Sequence, residues 1–89
     1  MNPFFEELGD EFVTVAHERG AEIEKPTLDP ELSDELLLFA SIVAHSRERK
    51  FAPLACYLAG VAAAQIDQAS VLELVRAVRK RVQPPEESA

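Results

Sequence analysis

Cysteine occurs once in the 89 residues, so no intrachain disulfide framework is encoded, and a reducing, cytoplasmic setting is the expectation. Histidine occurs only at His17 and His45, and neither has a second histidine or a cysteine three or four residues away. Zinc sites need ligands paired at that spacing, so no metal is expected. The three glycines never cluster into a phosphate-cradling loop, and no serine lies in a nucleophile elbow. The longest apolar run, Ala52–Ala64, is 13 residues, short of the roughly 20 that cross a bilayer. The first residues are acidic, where a secretion signal would be basic. No membrane span and no leader are expected, and no stretch alternates with the period of two that strands require.

The acids that are present do not assemble into catalysis. Asp29–Glu35 has acids at alternate positions, yet lacks the glycine and the distal glutamate of a calcium loop. Glu7 pairs with Asp10 and Glu11 on one helix face, but a wet face does not shift one carboxyl against the other as acid–base catalysis needs. The expectation is no enzyme and no cofactor.

Hydrophobic residues make up 47% of the chain and charged residues 28%, which is globular rather than disordered composition. The net charge is −7 and unevenly placed. Residues 1–37 hold eleven acids against Arg19 and Lys25, whereas residues 38–83 hold three acids against seven bases. Overall acidity argues against nonspecific nucleic-acid binding, and the basic half is suited to an acidic partner or ligand.

Helical signals account for most of the chain. Asn2-Pro3 is a cap followed by a first-turn proline, and Phe5, Leu8, Phe12 and Val15 then recur at steps of three and four until Gly20 stops the helix, giving about 3–19. Asp29-Pro30 repeats the device, with Ser33 as a later start, and the second helix runs to about Arg47. A third, about 52–65, is apolar on every side and is expected at the centre, with Leu58 facing other helices and a neighbouring backbone passing close to Gly60. The last helix starts at Asp67, or at a Ser70/Glu73 capping box, and ends before Pro84-Pro85. The expected fold is all-α, a small bundle of four helices around the apolar helix at about 52–65, with residues 1–83 as one domain and 84–89 as a flexible tail.

Two surfaces stand out. His45, Arg47, Arg49 and Lys50 lie just before the third helix, where free N–H groups and added cations suit an anion such as a nucleotide or pterin phosphate. Leu37, Leu38 and Ile42 widen the apolar set of the second helix beyond one contact, and are expected to form an interface, as a homodimer or with another protein.

From Val43 to Ala63 the order of residues resembles an uncharacterised actinobacterial helical domain. Val43-Ala44-His45 ends one helix, Arg49 follows, and Ala52-Pro53-Leu54 leads into Tyr57, Leu58, Gly60, Ala62 and Ala63. The match covers about a quarter of the chain in a motif rich in alanine and leucine. Members of that family stand alone or are appended to nucleotidyltransferases like those that make molybdopterin guanine dinucleotide. The resemblance implies an accessory role near molybdenum-cofactor metabolism, with no activity to carry over. The functional expectation is therefore a noncatalytic interaction or accessory domain that self-associates or docks on a protein. The alternative is a small binding module for an anionic ligand at the 45–53 joint.

Overall fold

The computed structural model describes residues 2–84, so all but the first residue of the expected tail at 84–89 lies outside the described residues. Four helices are present: α1 (Pro3–Glu18), α2 (Pro30–Ser46), α3 (Phe51–Ala63) and α4 (Val71–Val82). A 3-10 turn, Gln68–Ser70, leads into α4, and no strand occurs among the described residues. The fold is all-α. The chain forms two compact units, one up to Pro30 and one from Glu31.

In the first unit, the Asn2 side chain accepts the Phe4 N–H at 2.8 Å, the capping bond that the Asn2-Pro3 pair implied. At the other end Gly20 takes a positive φ of 86°. The Gly20 N–H then bonds the His17 carbonyl and the Ala21 N–H bonds that of Ala16, the two hydrogen bonds of a Schellman cap. The chain beyond runs back beside α1. Lys25 Nζ donates to Glu6 at 3.0 Å and lies 3.0 Å from Asp10. Its pKa is raised, first by the Glu6 bond and then by the one to Asp10. The backbone passes so close to Gly9 that a Cβ there would sit 2.7 Å from the Pro26 carbonyl oxygen. Gly9 is the buried residue of α1, whereas Phe5, Leu8, Phe12 and Val15 remain exposed.

The second unit is built on the pairing of α2 with α4. Phe39 and Val43 from α2 meet Val71 and Val75 from α4, and these four are the buried hydrophobic core. Leu32 and Leu36 flank it from α2 and Val82 from α4. Helix α3 packs against this core with small side chains, Ala55, Cys56, Ala59 and Ala63. Burial raises the pKa of the Cys56 thiol, which disfavours the reactive thiolate.

Two expectations for α3 need correction. No residue of this helix is buried, and Leu58 is among its most exposed side chains. Among the described residues nothing lies within 4 Å of where a Gly60 Cβ would be, and the close backbone approach is at Gly9 instead. Alanines let α3 sit near the core without turning its leucines inward. The capping box before α4 is also not formed: neither Asp67 nor Ser70 makes a side-chain cap bond, and the Glu73 carboxylate accepts from Arg76 instead.

Candidate functional site

On α3 the wheel of about 100° per residue separates two faces. Ala59, Ala63 and Cys56 turn toward the core. Leu54, Tyr57, Leu58 and Val61, spaced i, i+3, i+4 and i+7, form an arc on the outer side. Their exposure decides the matter: Leu54 is 63%, Tyr57 71% and Leu58 67% exposed. A helix normally shows charge where it meets water, and from Phe51 to Ile66 there is no charged side chain at all.

Beside the arc lies an apolar groove of about 230 Å³. Phe39 of α2 reaches it, and α3 lines it with Ala55, Leu58, Ala59 and Ala62. Leu74, Val75 and Val78 of α4 complete the opposite wall. The small alanines open the space and the larger residues of α4 stay across it. The groove holds no polar side chain and no titratable group. It is suited to an apolar side chain and offers nothing for acid–base or nucleophilic chemistry.

A buried polar cluster also joins α2 to α4. Glu35, 6% exposed, accepts a hydrogen bond from Arg79 Nε and a second from Arg76 Nε at 3.3 Å. Arg76 Nη1 also donates to Glu73 at 2.9 Å. The Arg79 side chain is only 14% exposed. Hydrogen bonding from Arg79 is the main influence on Glu35, and with the Arg76 bond it outweighs desolvation and lowers the carboxyl pKa. The cluster ties α2 to α4. Helix periodicity within either element does not reveal it, because Glu35 belongs to α2 and both arginines to α4. A signal existed: Glu35 is three residues after Leu32 and four before Phe39, and Arg79 is four after Val75 and three before Val82. Opposite charges inside two apolar stripes mark a buried pair.

His45, Arg47, Arg49 and Lys50 of the basic joint are all exposed. His45 lies in a shallow hollow with Ser41, Ile42, Ser46, Gln83 and Pro84, and its Nδ1 donates to the Ser41 carbonyl at 2.7 Å. Arg47 donates to the Ser46 carbonyl, and Arg47, Arg49 and Lys50 do not line that hollow. Of the expected α2 interface, Leu37 and Leu38 are exposed, while Ile42 is half-buried in the same hollow as His45. Among the described residues no three His, Cys, Asp or Glu side chains converge as metal ligands, and no helix is long and apolar enough to cross a membrane.

Residues 2–89 match the family model of a domain of unknown function, DUF6457. The chain belongs to that family. No curated protein and no solved structure matches it. The family match covers both compact units, so α1 and its return segment belong to the DUF6457 domain as much as the groove does.

Proposed function

We propose that this DUF6457 domain is a noncatalytic interaction domain that binds protein through the outer arc of α3 and the adjoining groove. The observation that carries the reading is the outward placement of Leu54, Tyr57 and Leu58 on the most apolar helix of the chain. Isolated exposed hydrophobics are ordinary, but a contiguous stripe next to an apolar groove is the usual form of a protein-binding surface. Tyr57 fits the role, since tyrosine supplies a large apolar body and a polar tip to interfaces. The buried Glu35–Arg79 pair holds α2 against α4, and so keeps the groove walls in place. The sequence resemblance to a domain appended to nucleotidyltransferases makes an enzyme of that kind one candidate partner.

The test is cross-linking in the source cells with tagged wild type and tagged Leu58→Asp. Leu58 is exposed, so the variant should keep its circular dichroism spectrum. A protein captured by wild type and lost with the variant supports the docking face. Identical captured sets would remove it.

A further inference from the structure

We infer that the occupant of the α3 face is a second copy of this chain, packed antiparallel about a two-fold axis near Leu58. The inference rests on the docking reading above and adds the identity of the partner.

The first argument is charge. The α3 arc buries no charge when it meets its own copy, because Phe51–Ile66 carries none. Another exposed apolar stripe, on α1, is flanked by Glu6, Glu7 and Glu11, and two copies meeting there would bring carboxylates together. At the ends of α3 the charges are complementary. Arg49 and Lys50 precede the helix and Asp67 follows it by four residues. In an antiparallel pair the cationic start of one α3 faces Asp67 of the other, and symmetry makes the contact twice. The helix dipoles are opposed in the same arrangement. A parallel pair would instead set Lys50 against Lys50.

The second argument is Gly60. Glycine is unfavourable within a helix, and among the described residues nothing lies within 4 Å of where a Gly60 Cβ would be. It adjoins Tyr57 at the edge of the exposed arc, where a missing side chain lets a second helix come close. The third is shape. Leu58 both projects from the surface and walls the groove, so each copy offers a knob and a hollow on the same face. A self-complementary patch of this kind is what a two-fold interface requires.

The experiment is sedimentation equilibrium of the full chain over a range of concentrations, with circular dichroism as the check on folding. The expected species has twice the 9.8 kDa chain mass. Leu54→Lys and Tyr57→Lys should each raise the dissociation constant at least tenfold at unchanged helicity. Lys50→Glu and Asp67→Lys should each weaken the dimer, and the double variant should recover most of the loss. A monomer at every concentration up to roughly 100 µM overturns the inference. A dimer indifferent to both lysine substitutions on the arc uses another face and overturns it as well. A double reversal no better than its singles overturns the antiparallel pairing. A monomer that still captures a protein through Leu58 removes the second copy and leaves the docking reading standing, whereas loss of both removes both.

Discussion

Glu35 and Arg79 lie forty-four residues apart in the chain and form a buried ion pair between α2 and α4, with Arg76 closing on the second carboxylate oxygen. Glu35 precedes the core residue Phe39 by four positions, and Arg79 follows Val75 by four. Leucines alone would let α4 slide or rotate along α2. A carboxylate held by two guanidinium groups fixes one register, because any slip leaves a charge buried and unpaired.

Removing one partner should therefore be costly. Glu35→Gln leaves the mostly buried Arg79 guanidinium without its counter-ion, and we expect a loss of about 3–5 kcal/mol. The stability of a domain this small is of the same order, so the variant should be largely unfolded at moderate urea. Replacing both partners with apolar residues, Glu35→Leu with Arg79→Met, should recover much of the loss. Urea titrations of Glu35→Leu, Arg79→Met and the double close the cycle. Additive losses would mean that the pair contributes no coupling.

The same carboxylate sets an acid limit. Its folded-state pKa lies below the ordinary value of 4.5, because the guanidinium hydrogen bonds favour the charged form. The stabilisation is complete above that ordinary value and is lost as the pH falls through the lower, folded-state pKa. Wild-type stability should fall below about pH 4.5, while Glu35→Gln, lacking this titration, should show a flatter acid limb. Denaturant midpoints between pH 3 and 7 test it. Parallel curves would show that Glu35 does not govern the acid response.

The helices were legible because their ends carry local chemistry. Asn2-Pro3 and Gly20 act through bonds within a few residues, and α1, α2 and α3 fall within one or two residues of the expected bounds. What faces what was less legible. An apolar helix implies burial only when its large residues have somewhere to go, and in α3 the alanines took the inner side. Periodicity shows that Ala55, Ala59 and Ala63 share a face, but not that a small-residue face wins the core contact. Gly9 and Gly60 show the same limit. Both are helical glycines in the sequence, and only the return of the chain past Pro26 distinguishes them. The groove joins residues of three helices and leaves no local trace.

Core and surface leucine-sized residues should separate cleanly. Phe39 is buried at the α2–α4 contact, and Phe39→Ala should cost about 3–5 kcal/mol. Leu58→Ala, at an exposed position, should change the stability of the isolated chain by about 0.5 kcal/mol or less. The comparison belongs at submicromolar concentration, where self-association does not contribute. Comparable losses from both would place Leu58 in the core and contradict the exposed arc.

The two glycines give the sharpest contrast. At Gly9 a methyl group would meet the Pro26 carbonyl oxygen at 2.7 Å and crowd the Lys25 side chain at 3.2 Å, and the obstacle is backbone. Gly9→Ala must therefore push the return segment off α1, straining the Lys25 contacts to Glu6 and Asp10. The gain in helix propensity, about 1 kcal/mol, does not offset the loss of that packing, so the variant should melt lower. At Gly60 the same methyl group meets open space, and only the propensity term remains. Gly60→Ala should raise the melting temperature of the dilute chain by several degrees. Hydrogen exchange adds a location: Gly9→Ala should speed exchange in residues 2–30 and leave α4 protected, since the two lie in separate compact units. Equal melting shifts of the same sign for both variants would mean that intrinsic helix propensity, rather than the passage of the chain beside Gly9, decides the outcome.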